Sequence, residues 1–310
     1  MNLFGKSRRP GWLCLNLHPD RVDLSHVLVA GKPRPEVLLC ESFRKEGDDV
    51  VTLKRLRREL RLDRYHCMTM LKTHDYQMFP VDAPKVPDAE ARSAVRWAIK
   101  DMLDYSIDAA MVDAVSVPAS EAGGRPAQML AVAARNELIA ATVKPFNEAD
   151  IELDVIDIPE LAQRNVAKRL EDEGRGLAML CFDHAAATLT FTSGGELYQS
   201  RRIDVSMMDF AGDAPAEGLY DRVALELQRS LDHFDRQFRN VAVSRVVISQ
   251  VPGGEKLAEY LNSNLTLPVE MFDLEKIMDF PGVPELRDPL RQTQCLQLIG
   301  AAMREEVAAR

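Results

Sequence analysis

The order strand, strand, strand, helix occurs twice in this chain, and each occurrence opens one half of it. Trp12 to His18, Val22 to Val29 and Glu36 to Phe43 are short apolar runs, the last two separated by a Gly31-Lys32-Pro33 turn. Leu177 to Asp183, Ala187 to Thr192 and Glu196 to Ile203 repeat the order, with Ser193-Gly194-Gly195 as the turn. A helix follows each set. Leu53, Leu56 and Leu60 mark the first, and Tyr220, Val223, Leu227, Leu231, Phe234 and Phe238 draw a long apolar seam along the second. The residues themselves do not repeat, so element order is the whole of this signal, and three-strand meanders also recur by chance in α/β proteins. The chain has 310 residues, beyond the roughly 250–300 at which a single core stops growing, so two domains or one bilobal domain are expected. Glu171 to Gly176, EDEGRG, is the best boundary.

Between the two openings lies a helix followed directly by a strand, Pro87 to Pro118. Pro87 suits a first helical turn, Asp88 and Glu90 complement the macrodipole, and Ala91, Ala94, Val95, Ala98 and Met102 recur at helical spacing as the buried face. Arg92, Arg96 and Lys100 form a basic ridge with Trp97 beside it. Two readings stand: a solvated face with Trp97 closing the core, or a surface that holds a partner. Before this helix come a strand, Cys67 to Leu71, and a loop with three prolines. After it come a Gly123-Gly124 tip within Pro118 to Pro126, a strand over Met129 to Ala134, and a helix from an Asn136 N-cap to Phe146. A strand over Ile151 to Ile158 and a helix opened by Pro159, with Leu161, Val166 and Leu170 inward, complete the first half. The second half adds a nearly continuous apolar strand, Arg245 to Val251, then Pro252-Gly253-Gly254, a helix through Leu261, a strand at Leu267 to Phe272, and a closing helix, Leu290 to Met303.

A net charge of −9 argues against a general nucleic-acid binder. The exception in charge is Lys54, Arg55, Arg57, Arg58, Arg61 and Arg64, which lack interleaved aromatics and read as a solvated or partner-facing helix rather than a nucleic-acid surface. Five dispersed cysteines without C-x-x-C spacing read as buried thiols of a reducing compartment. No apolar stretch reaches the ~18 residues of a membrane span and the start lacks a signal-peptide core, so a cytoplasmic location is expected. Leu3-Phe4 with Lys6, Arg8 and Arg9 is either a frayed terminus or a contact with anionic lipid. The six histidines show no metal-ligand spacing, and Gly5-Lys6-Ser7 lacks the strand and first glycine of a P-loop. The strand-glycine-helix at Val251 to Glu255 would need backbone amides from the two opening turns to grip a phosphate. Those turns, Leu17-His18-Pro19-Asp20 and Asp183-His184-Ala185-Ala186, contain no glycine, and Pro19 has no N–H to give.

Four stretches, Ala94-Val95-Arg96-Trp97, Asp104 to Asp108 (DYSID), Leu130 to Arg135 (LAVAAR) and Leu225 to Asp232 (LELQRSLD), resemble the PilM/MshI family of type IV (MSHA-type) pilus biogenesis proteins, over nearly the whole chain. The resemblance implies an actin-like α/β fold of the FtsA/PilM type: a first lobe at 1–64 and 151–175, an inserted small subdomain at 65–150, a second lobe at 176–289, and a last helix, 290–310, that returns to the first lobe. It implies a cytoplasmic scaffold at the inner membrane that binds the N-terminal tail of a PilN-like membrane protein between the first lobe and the insert, with Arg92, Arg96, Trp97, Lys100 and Tyr105 as candidate contacts. Its nucleotide motifs are eroded here. Cys14-Leu15-Asn16-Leu17-His18 replaces a G-I-D-I-G opening, Cys181-Phe182-Asp183 replaces D-I-G, and the adenosine-side glycines survive only as Gly253-Gly254. Asn16, His18, Asp20, Cys181, Asp183, Gly253 and Gly254 are therefore expected to line a vestigial cleft, with no cofactor and no catalysis. The alternative is an actin-like ATPase in which Asp20 or Asp183 faces Mg²⁺ and nucleotide state regulates the same assembly.

Overall fold

Two five-stranded sheets with the same strand order carry the fold. The structure is a computed structural model, and it describes residues 8–118, 127–211 and 218–305. The chain begins with β1 (Trp12–Leu17), β2 (Arg21–Leu28), β3 (Glu36–Arg44), α1 (Asp49–Leu60) and β4 (His66–Met70). It then leaves this lobe for β5 (Tyr76–Asp82), α2 (Asp88–Ala98), β6 (Ala110–Val117) and β7 (Gln128–Arg135), and returns with α3 (Asn136–Glu148), β8 (Leu153–Asp157) and α4 (Pro159–Ala167). The second lobe is β9 (Gly176–Phe182), β10 (Ala187–Ser193), β11 (Glu196–Ile203), α5 (Leu219–Gln237), β12 (Val243–Ile248), α6 (Gly254–Asn264) and β13 (Val269–Met271), followed by α7 (Pro289–Ala302).

The first sheet runs β3-β2-β1-β4-β8 and the second β11-β10-β9-β12-β13. In each, the three opening strands pair antiparallel and the last two add in parallel. The repeated element order of the sequence is thus a repeated topology.

Strand periodicity explains why two lobes make one molecule. On β9, Ala178, Leu180 and Phe182 face a core with Val223, Leu227 and Phe234 of α5, where Phe191 stacks on Phe234 at 4.5 Å. The alternate residues Leu177, Met179 and Cys181 face the other way, into a core shared between the lobes. β1 divides in the same manner: Leu13 and Leu15 pack with Leu53, Leu56 and Phe146, while Trp12 and Cys14 join the shared core. α4 and α7 fill that shared core. Gln163 of α4 donates from Nε2 to the Met179 carbonyl (2.7 Å), the Thr188 carbonyl (3.2 Å) and Thr190 Oγ1 (2.9 Å), so the last helix of the first half is fastened to the second sheet. α7 crosses in the opposite sense and packs on β1 and β2.

The insert is a three-stranded antiparallel sheet, β5-β7-β6, covered by α2. Its edges differ from the span expected at 65–150: β4 belongs to the first sheet, and α3 buries Phe146 in the first lobe's core, leaving β5 to β7 as the inserted part. The proline-rich loop before Pro87 contains a strand, β5, which tolerates Pro80 because it is an edge strand whose outer side needs no N–H. α2 ends at Ala98, so Ala98 and Met102 are exposed rather than inward, and Ile99 takes the buried place after Val95. Asn136 is the first helical residue rather than the N-cap, and its side chain donates to the Asp108 carbonyl at 3.1 Å. The glycine tip at 119–126 lies outside the described residues. All five cysteines are buried and free. Among the described residues no helix is long and apolar enough to cross a membrane.

Candidate functional site

The structure has two candidate clefts, one between the lobes and one between the first lobe and the insert. The first is a cavity of about 380 Å³ at the ends of β1 and β9, closed on one side by α7. Asn16, His18, Cys181 and Asp183 line it, together with Arg21, Asp23, His184 and Arg291. Asp20, Gly253 and Gly254 do not. Asp20 points outward beside Arg21 (3.4 Å, side chain 75 % exposed), and a Cβ on Gly254 would meet the Met271 methyl at 2.7 Å, away from the cavity. The sequence expectation that these three complete the cleft is corrected here. The glycine pair after a strand, the cue for Gly253 and Gly254, serves the packing of α6 on β13 instead.

A nucleotide's phosphates need free amides, and at both turns several are already engaged or absent. The His18 amide donates to the Arg21 carbonyl at 2.9 Å, and Pro19 has none. At the second turn Asp183 Oδ1 accepts from the amides of Ala185 (2.6 Å) and Ala186 (2.9 Å), so the protein's own carboxylate occupies the place an anion would take. Neither turn contains a left-handed residue. The residues present therefore do not fit a Mg²⁺-nucleotide. Asn16 Oδ1 accepts from the Met70 amide at 3.3 Å and ties β1 to β4.

One acid of this cavity, Asp23, is paired within it, with His18 (2.9 Å) and Arg21 (3.1 Å). Burial works to raise its carboxyl, but hydrogen bonds from His18 and Ser42 and the charges of His18 and Arg21 prevail and hold it at about 2. Burial pushes the Cys181 thiol up to about 12, which leaves it protonated and without nucleophilic character.

The second cleft, about 620 Å³, lies between Asp113, Ala114 and Val115 of β6 and Asp154, Val155, Ile156 and Asp157 of β8, with Leu161, Arg164 and Arg304 alongside. Both strands end their sheets, so each presents an edge without a strand partner among the described residues. The half-buried Val115, Val155, Ile156 and Leu161 give it apolar lining, and the rim is charged. Asp157 is buried there, which raises its carboxyl, while the Ile158 amide and Arg304 (3.3 Å) act to lower it. Alternating apolar residues in Ala110 to Val117 were visible in the sequence, but nothing local told that this strand and β8 would face one cavity.

None of the five candidate contacts lines this groove. Arg92 comes nearest, bridging to Asp113 at 3.1 Å. Arg96 is committed to its own subdomain: its guanidinium donates to the carbonyls of Ala110 (2.9 Å) and Ile107 (2.6 Å). Tyr105 lies under Arg135, whose guanidinium is 4.0 Å from the ring centre. Trp97 is 63 % exposed, with Lys100 Nζ 5.8 Å from its ring. The structure thus makes Arg96 and Tyr105 internal braces, leaves Trp97 and Lys100 exposed side by side, and sets Arg92 in an exposed ion pair with Asp113.

The sequence matches no protein-family model and no curated protein. Solved structures do match. A chain of the PilM-PilN type IV pilus biogenesis complex is 20 % identical, aligns over 95 % of this chain and 97 % of its own, and superposes with a TM-score of 0.69. A Bacteroides thetaiotaomicron VPI-5482 protein of unknown function, described as having an actin-like ATPase fold, is 8 % identical over 98 % and 100 % of the two chains, with a TM-score of 0.52. The fold is the actin-like ATPase fold.

Proposed function

We propose that this protein is a non-catalytic actin-like scaffold for assembly of a type IV pilus, of the MSHA type, on the cytoplasmic face of the inner membrane, where it holds the extended N-terminal tail of a PilN-like membrane protein. The observation that carries this reading is the groove between β6 and β8. Two free strand edges flank apolar side chains, and an extended peptide can take main-chain hydrogen bonds from an edge while its alternate side chains enter the lining. The likeness in fold to a chain of the PilM-PilN complex supports the choice of partner. The Asp183 carboxylate across the Ala185 and Ala186 amides supports the absence of nucleotide chemistry.

The test is calorimetry with a peptide of the partner's tail. Ile156→Glu places a charge in the groove and is expected to weaken binding tenfold or more, about 1.4 kcal/mol. Arg92→Glu with Trp97→Ala probes the outer face of α2. Loss of affinity in this pair but not in Ile156→Glu would move the tail from the groove to that face. Titration with ATP and Mg²⁺ is expected to show no binding tighter than roughly 100 μM, or about −5.5 kcal/mol, and a tighter value would favour the ATPase reading instead.

A further inference from the structure

α1 carries a charge pattern that neither cleft uses. Leu53 and Leu56 are fully buried, while Lys54, Arg58 and Arg61 follow one another along the opposite, exposed face. Arg57 flanks them and Arg64 stands just beyond the helix end. Among the described residues, Lys54, Arg57, Arg58 and Arg64 have no carboxylate within salt-bridge distance, and Arg61 has only Asp63, at 3.7 Å. Glu59 is the one acid on the helix after its first turn. In a chain of net charge −9, five cations on one helix and its exit, four of them without a carboxylate partner among the described residues, are a local concentration. Val51 stands in the same stripe, three residues before Lys54, and is 54 % exposed.

The chain's N-terminal segment is fastened to this end of the molecule. The Arg9 amide donates to the Arg64 carbonyl at 2.6 Å, and Arg8 bridges to Asp154 at 2.9 Å, on the rim of the groove between β6 and β8. Residues 8 and 9 thus connect the end of the basic stripe to the rim of the groove.

We infer that the exposed face of α1 lies against an anionic lipid surface. A patch of four or more unpaired cations gains about 1 kcal/mol for each one near such a surface, and an exposed Val51 suits a lipid boundary more than a phosphate backbone. The stripe has no aromatic side chain on which a base could stack. The acidic remainder of the surface is screened beyond a Debye length of ~8–10 Å, so its repulsion from the lipid is weak.

Co-sedimentation of the full chain with phosphatidylglycerol–phosphatidylcholine vesicles, against phosphatidylcholine alone, tests this. The protein is expected to bind only the anionic vesicles, and less as salt rises. Lys54→Gln with Arg58→Gln should weaken binding about 30-fold, and the charge-keeping pair Lys54→Arg with Arg58→Lys should restore it. Lys256→Gln with Arg239→Gln removes the same charge from exposed positions of the second lobe and should leave binding unchanged. No preference for anionic vesicles, an equal loss in the second-lobe pair, or binding to duplex DNA in place of vesicles would overturn the inference. Affinity of the Lys54/Arg58 variant for the tail peptide, measured without vesicles, should equal wild type, so failure here is distinguishable from failure of the groove reading.

Discussion

Asp183 illustrates how far a single side chain's neighbours decide its meaning. In sequence it is an acid at the end of a strand, a candidate to face Mg²⁺. In the folded chain its Oδ1 accepts from the Ala185 and Ala186 amides, which makes it the anion of its own turn. Trp97 runs the other way: of the two readings, closing the core is not the one it takes, because α2 ends one residue later and Ile99 closes the core, leaving Trp97 mostly exposed. Asp23 yields a pH test. Its carboxyl lies at about 2, below an ordinary 3.8, so its stabilising contribution is complete above about pH 4 and is lost as the pH falls towards 2. Asp23→Asn should flatten the rise of Tm between pH 2 and 4 relative to wild type. Thermal melts across that window decide it, and an unchanged slope would show that His18 and Arg21 do not hold this charge.

Among the elements, the α4–α7 contact joins the two halves most closely. Gly300 meets Ala162 so tightly that a Cβ would stand 2.2 Å from the Ala162 carbonyl oxygen, and Asn165 Nδ2 donates to the Gly300 carbonyl at 2.9 Å. Backbone cannot yield as a flexible side chain can. Gly300→Ala is therefore expected to cost about 1–3 kcal/mol or more in urea denaturation, as overpacking does, and a neutral result would mean that the helices slide apart freely. At this scale most strands and helices were legible, because hydrophobic periodicity is a local property. β5 escaped because three prolines read as a loop, whereas an edge strand has one side on which a proline's missing N–H is harmless.

Across the whole molecule, the lobes are joined by more than the shared core. The Val37 amide donates to the Asp279 carbonyl (2.8 Å), the Asp279 amide to the Pro35 carbonyl (2.9 Å), and Arg34 reaches the Met278 carbonyl at 3.0 Å. These bonds tie the outer strand of the first sheet to the segment after β13. With this lock and with phosphate turns already closed, the X-ray scattering profile is expected to be the same with and without ATP and Mg²⁺. A compaction on addition of nucleotide would show that the lobes still hinge.

From the sequence alone came the two three-strand openings, the helices that follow them and the absence of glycine from the two opening turns, since each rests on spacing within a few residues; the actin-like arrangement came from the family resemblance. Only the tertiary structure decided which amides were already bonded, that Arg96 and Tyr105 brace their own subdomain, and that β6 and β8 turn their free edges to one groove. Those outcomes join residues tens of positions apart, as with Val115 and Ile156, or Arg8 and Asp154, and no local pattern carries the distance between them.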